Sequence, residues 1–241
     1  QVVQLLLPTQ RPTMTVTAAP RSRSRSPAAF EAASALTAGS KTPQGAVDLY
    51  DKWAETYDKS VTEWGYEAPR VSAELVVAEA GAQANVADVG CGTGLSGYEL
   101  RKAGITGDLV GLDISQESLG IANQRRHNSK EVYTHTHPAD LCKPLSPLKD
   151  GEFDVVTCVG TLTYLQDAYD TVFSEWRRVL KPKGLCIFTH KKEFQSTEFR
   201  EVMEKYFEVK HISELMPYLP KHPEFVGEAN MINYFVLVRR D

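Results

Sequence analysis

"VADVGCGTGLSG", Val86 to Gly97, can be read in two frames. From Gly90 it runs G-x-G-x-G; from Gly92 it runs G-x-G-x-x-G, the dinucleotide fingerprint. In both frames an apolar run leads into a glycine turn, and a helical pattern follows from about Leu95 to a glycine stop at Gly104. Outward from this stretch, short apolar runs alternate with segments of helical period, as in a parallel sheet joined by crossover helices. "DLVGLDI" (Asp108 to Ile114) is a second strand, and Ser115 can cap the helix running towards Asn128. "VYTHTH" (Val132 to His137) is a weaker third strand, and "FDVVTCVG" (Phe153 to Gly160), apolar on both faces, is a central fourth. Tyr169, Val172, Phe173, Trp176, Val179 and Leu180 recur at helical spacing, with Arg177, Arg178 and Lys181 near the negative end of the dipole and Pro182 and Gly184 beyond. "LCIFTH" (Leu185 to His190) is the fifth strand and Glu193 to Lys205 a further helix. "FEVKHIS" and "INYFVLVRR" then close the sheet as an antiparallel pair.

Composition bounds what such a fold can do. The chain has 241 residues, 42% hydrophobic and 24% charged, enough for one sizeable domain and some surplus. The surplus is residues 1–45, where Arg11, Arg21, Arg23, Arg25 and Lys41 face only Glu31 among many Ser, Ala, Pro and Thr. That stretch reads as a disordered leader, an untranslated stretch before Met14, or an organellar transit peptide; "PRSRSRSP" is too short to argue strongly for an RNA-binding patch. Residues 46–241 form the domain. With no apolar run near the roughly 20 residues of a membrane span, the expected setting is cytoplasmic, or organellar if the leader is a transit peptide. A net charge of -4 gives no sign of a nucleic-acid surface. Cys91, Cys142, Cys158 and Cys186 lack metal or disulfide spacing, and His135 and His137, at i and i+2, make a poor metal site.

Charge also separates the two glycine frames. A dinucleotide brings a pyrophosphate to the turn, where helix amides hold it. Asp88 argues against that ligand: in the Gly90 frame it is expected at the carboxyl end of the first strand, facing the ligand crevice, where an acid suits a cation. S-adenosylmethionine carries a sulfonium, an ammonium and a carboxylate, and no phosphate. Asp113 ends the second strand about twenty residues past the glycines, placed to accept ribose hydroxyls. In "PADL", Asp140 can accept an adenine amino hydrogen while Leu141 covers the ring, although Asp140 also suits a plain turn.

"VADVGCGTG", the acid in "GLDIS", "ADL", "FDVVTCVGTLTYL" and "RRVLKPKGLCIFT" together resemble the class I S-adenosylmethionine-dependent methyltransferases, over essentially Ala46 to Asp241. The resemblance implies a Rossmann-like α/β fold, a seven-stranded mostly parallel sheet with a C-terminal antiparallel pair and helices on both faces. More narrowly, "LYDKWAETYDKSVTEWGYEAPR" (Leu49 to Arg70), and less strongly "MPYLP" (Met216 to Pro220), resemble the methyltransferase-like family of the Williams-Beuren critical region. By analogy with the wider fold, Asp88 reaches the methionine ammonium, directly or through water, and Gly90, Gly92 and Gly94 let the backbone approach the ligand, with Cys91 on the same turn. Asp113 holds the ribose, Ile114 presses on adenine, Asp140 and Leu141 read its edge, and Cys158, Val159 and Gly160 line the methionine side. Tyr50, Trp53 and Tyr57 lie on a helix that either lids the cofactor, with the Tyr57 hydroxyl near the carboxylate, or presents an ordinary apolar stripe. Arg70 could pair with the same carboxylate or sit on the surface.

The implied reaction is in-line displacement of the methyl group by a nucleophile on an unidentified acceptor. Stiff proline-bearing loops favour a small molecule as that acceptor. If the acceptor needs deprotonating, His190, Tyr164 and Tyr234 are candidate bases, and His190 equally suits a solvated strand end. Two other readings stay open: a non-catalytic cofactor-binding scaffold, separable by turnover, and a nicotinamide-dependent oxidoreductase using the "GTGLSG" frame.

Overall fold

The computed structural model describes residues 56–222 and 226–241; Tyr50, Trp53 and the expected leader lie outside them. Helical residues 56–63 lead into α1 (Ala68–Ala80) and then β1 (Val86–Val89), α2 (Leu95–Ala103), β2 (Leu109–Asp113) and α3 (Gln116–Gln124). A two-strand hairpin, β3 (Arg126–His127) and β4 (Lys130–Glu131), precedes β5 (His135–Pro138) and β6 (Phe153–Cys158). The remainder is α4 (Tyr169–Val179), β7 (Leu180–Lys191), α5 (Thr197–Tyr206), β8 (Phe207–Ile212), β9 (Met216–Pro217) and β10 (Met231–Arg239). Among the described residues, no helix is long and apolar enough to cross a membrane.

The main sheet runs β5-β2-β1-β6-β7-β10-β8. The first five strands are parallel, and β10 lies antiparallel to both β7 and β8. The expected seven strands thus form one path; the two-residue β9, paired with β10, adds an eighth. Helices cover both faces. On one side Phe173 and Trp176 of α4 and Phe199 of α5 pack on Phe188 and Phe235. Phe188 and Phe235 are register partners whose rings stack at 4.7 Å. On the other side Val76 of α1, Leu100 of α2 and Leu119 of α3 pack on Val86, Leu109 and Val155. Each such side chain contributes about 1.5–3 kcal/mol on burial, and together they fix which face of each strand looks where.

Several boundaries differ from the sequence reading, each for a local reason. α2 starts at Leu95 and ends at Gly104, whose φ of 111° only glycine adopts readily. The Ser115 hydroxyl accepts from the Ser118 amide, as an N-cap should. α3, however, stops at Gln124, not Asn128, because the chain turns into the β3–β4 hairpin through Asn128 and Ser129, both at positive φ. The third strand is His135–Pro138: Val132 and Tyr133 are drawn instead into the core under α2. β7 begins at Leu180, passing through Pro182 and Gly184. The expected Glu193–Lys205 helix is split, with a 3-10 turn at Lys192–Phe194 and α5 starting after Ser196, whose hydroxyl caps Phe199.

Candidate functional site

The carboxyl ends of β1, β2 and β6 open into one cleft of about 960 Å3, counting the space at its mouth. Tyr57, Gly90, Cys91, Gly92, Asp113, Ile114, Asp140, Leu141, Val159 and Gly160 all lie on its wall. The glycine turn reaches it by necessity. The amides of Gly90 and Cys91 both donate to the Leu112 carbonyl, at 2.7 and 3.0 Å, bending the chain sharply away from β1. Gly90 has a φ of 75°, and a Cβ there would stand 2.4 Å from the Thr161 hydroxyl. Gly92, at φ 52°, has nothing within 4 Å of where a Cβ would be, so its backbone faces open space.

Asp113 holds this turn to β2. One carboxylate oxygen accepts the Gly92 amide at 2.8 Å and the other the Ser115 amide at 2.9 Å. Asp113 also lies on the cleft wall, where a carboxylate is an acceptor for ligand hydroxyls. Asp140, half-buried, accepts the Cys142 amide at 3.0 Å and pairs with Lys143 at 3.0 Å. It is therefore a turn residue as well as part of the wall. Leu141 is buried beside it, and Ile114 is exposed at the mouth.

Three of the expected residues lie off the wall. Asp88 is fully buried, with Val86 on the face that α2 covers, as strand alternation dictates. Its carboxylate accepts the hydroxyls of Ser96 (2.7 Å), Tyr133 (2.7 Å) and Thr157 (3.2 Å). Burial pushes the Asp88 carboxyl up, and those three hydroxyls oppose the shift. The expectation that Asp88 faces the ligand is thus corrected: the acid sits beneath the turn, bonded within the core. Gly94 caps α2 at φ 88°, and a Cβ there would meet the Tyr133 ring at 3.0 Å. Cys158 is fully buried in the sheet, and burial raises its thiol well above the ordinary range. Gly97, the last glycine of the dinucleotide frame, lies under Tyr133: a Cβ would come 2.3 Å from the ring, whose oxygen accepts the Gly97 amide.

The candidate bases separate clearly. Tyr164 is on the cleft wall and Tyr234 is in an apolar cluster with Tyr218 and Val61. Arg70 bridges Glu67 and Glu74 on the surface at 2.6 Å each, away from the wall. His190 is buried, not a solvated strand end, with Nε2 at 3.0 Å from the Tyr169 hydroxyl. Burial lowers its pKa to about 3. Because folding favours the neutral ring, this contribution to stability is complete above the ordinary value of about 6.5 and is lost as pH falls towards 3. His190→Phe should therefore flatten the acid limb of a stability-against-pH curve between about pH 6 and 4. A variant as acid-sensitive as the parent in chemical denaturation would contradict the assignment.

Sequence reasoning missed Tyr66, Thr93 and Ser118, which also line the cleft. Thr93 was legible as the residue between Gly92 and Gly94. The Tyr66 hydroxyl would lie 2.6 Å from a Cβ at Gly160, a contact no spacing rule announces. Among the described residues, the wall carries the carboxylates of Asp113 and Asp140 and no Lys, Arg or His. Such a lining fits a net-positive ligand with hydroxyls to donate. It offers a diphosphate no side-chain cation.

Residues 87–188 match the family model described as "Methyltransferase domain". Human methyltransferase-like protein 27 is 32% identical over 159 residues, covering 65% of this chain and 62% of that protein. Ubiquinone biosynthesis O-methyltransferase of Methylococcus capsulatus is 36% identical over 102 residues, covering 42% and 41%. The chain thus spans less than two thirds of the length of these curated relatives. Among solved structures, magnesium protoporphyrin IX methyltransferase from Synechocystis PCC 6803, with bound SAM, superposes with a TM-score of 0.54 at 18% identity, covering 73% of this chain and 80% of that one. The fold is the Rossmann-like fold of these enzymes.

Proposed function

We propose that the protein is a class I S-adenosylmethionine-dependent methyltransferase that transfers the methyl group to a small-molecule acceptor, a reading supported by the match of residues 87–188 to the family model described as "Methyltransferase domain". The observation that carries this reading is the charge of the cleft wall, which among the described residues holds the carboxylates of Asp113 and Asp140 and no basic side chain. The match to an enzyme named for O-methylation in ubiquinone biosynthesis supports a small acceptor. The narrower kinship to the methyltransferase-like family of the Williams-Beuren region rests on "YDKWAETYD" and on the 32% identity to methyltransferase-like protein 27. A cytoplasmic setting, or an organellar one if residues 1–45 act as a transit peptide, accompanies it on composition.

When bound, the cofactor supplies a methyl carbon on a sulfonium, open to in-line displacement by the acceptor. The chain's part is to bind, orient and exclude water, effects worth up to roughly 7–11 kcal/mol when alignment is ideal. Asp113, on the cleft wall, accepts the ribose hydroxyls, and Gly90 and Gly92 bring backbone close to the methionine end. Ile114, Asp140 and Leu141 frame the adenine. Val159 and Gly160 border the reacting end, with Tyr66 and Tyr164 on the same cleft wall. His190 takes no proton from the acceptor, because its ring is buried against Tyr169.

The test is calorimetry of the purified protein with S-adenosylmethionine and with NADH, followed by a metabolite screen with isotopically labelled methyl donor. Saturable uptake of the first and label in a small molecule are expected. Uptake of NADH alone overturns the cofactor; cofactor uptake without turnover on any acceptor points to a scaffold.

A further inference from the structure

The wall of the cleft nearest the chain's beginning comes from residues 56–66, which contribute Tyr57 and Tyr66. What fastens this segment to the glycine turn is a closed set of polar contacts. The Thr93 hydroxyl donates to one oxygen of Asp58 at 2.6 Å. The Arg125 guanidinium pairs with the other. Arg125 then completes the ring, its Nε donating to the Thr93 carbonyl at 2.8 Å. Thr93 is buried and stands between Gly92 and Gly94, both at positive φ, so its orientation and that of the turn are set together. The Arg125 and Asp58 side chains keep 16% and 34% of their exposure, enough burial for the pair to be screened less than a surface one. These residues lie 35, 32 and 67 positions apart and meet only in the fold.

Resting on the cofactor reading above, we propose that Asp58 is a positioning residue for cofactor binding. Acting through Thr93 and Arg125, it clasps residues 56–66 to the glycine turn. The ligand therefore meets a wall already in place, and the binding step does not have to order that segment. An interaction that removes an ordering cost shows itself as affinity. The fold does not depend on the clasp, because Val61 docks the same segment in an apolar cluster with Tyr218, Leu219 and Ile232.

The experiment measures S-adenosylhomocysteine affinity by calorimetry and amide exchange with and without that ligand. In the wild type, exchange across residues 56–66 should already be slow without ligand, and ligand should slow it chiefly at the ends of β1 and β2. Asp58→Asn should weaken binding about tenfold and exchange faster in 56–66 without ligand, so that ligand now slows exchange there as well as at β1 and β2. Asp58→Glu, which keeps the charge, should recover most of the affinity. Arg125→Met should match Asp58→Asn, and the double variant should be no weaker than the weaker single, since both break one ring. Wild-type affinity and exchange in Asp58→Asn would overturn the proposal, as would multiplied losses in the double variant, or failure of Asp58→Asn to fold. If the wild type takes up no S-adenosylhomocysteine, the cofactor reading fails. If it does and Asp58→Asn is indifferent, only the clasp fails.

Discussion

Replacing Asp113 by Ala is expected to weaken S-adenosylmethionine binding about ten- to a hundredfold. Hydrogen bonds to a charged group contribute roughly 1.5–3 kcal/mol, and each 1.4 kcal/mol is a factor of about ten. Two losses act together here. The carboxylate that accepts ligand hydroxyls also accepts the amides of Gly92 and Ser115, so its removal loosens the turn that carries the ligand. Asp113→Asn should be nearly as harmful, because one end of the amide would present a donor to a backbone N–H. Calorimetry on the folded variants decides the matter: affinity like the wild type's would remove Asp113 from the site.

Asp88→Ala should act on stability and spare affinity. Its removal leaves the hydroxyls of Ser96, Tyr133 and Thr157 in the core without their shared acceptor. The expected cost is about 2–4 kcal/mol, which in a domain of this size lowers Tm by about 5–15 °C. Cofactor affinity of the folded fraction should stay within about threefold, since Asp88 does not reach the cleft wall. Thermal denaturation beside calorimetry reads both quantities. An unchanged Tm with weakened binding would return Asp88 to the ligand.

The contrast between these two acids shows what was legible. Asp113 closes β2, and a strand's last residue faces the crevice whichever way its neighbours alternate. Asp88 lies one residue short of the end of β1, so alternation turned it under α2, and the hydroxyls that satisfy it come from positions 96, 133 and 157. Only Ser96 is local enough to have been suspected. The strands buried on both faces, β1, β2 and β6, were readable from apolar runs, as were the caps at Gly104 and Ser115. The β3–β4 hairpin was not, being short, polar and exposed. The start of β7 was read five residues late, because Pro182 and Gly184 signal a break that the strand in fact passes through. The Asp58–Thr93–Arg125 ring joins residues from three separate stretches of chain, and single-sequence spacing carries no trace of it.

The position of β10 between β7 and β8 has a consequence for synthesis. Among the described strands β8 pairs with β10 alone, and β10 is made some twenty residues later, so β8 leaves the ribosome ahead of its partner. Until positions 231–239 arrive, two strand margins stand bare, each able to recruit a stranger. Slowed or interrupted translation within that interval should therefore send this chain to chaperones or into aggregates more than a pause after it.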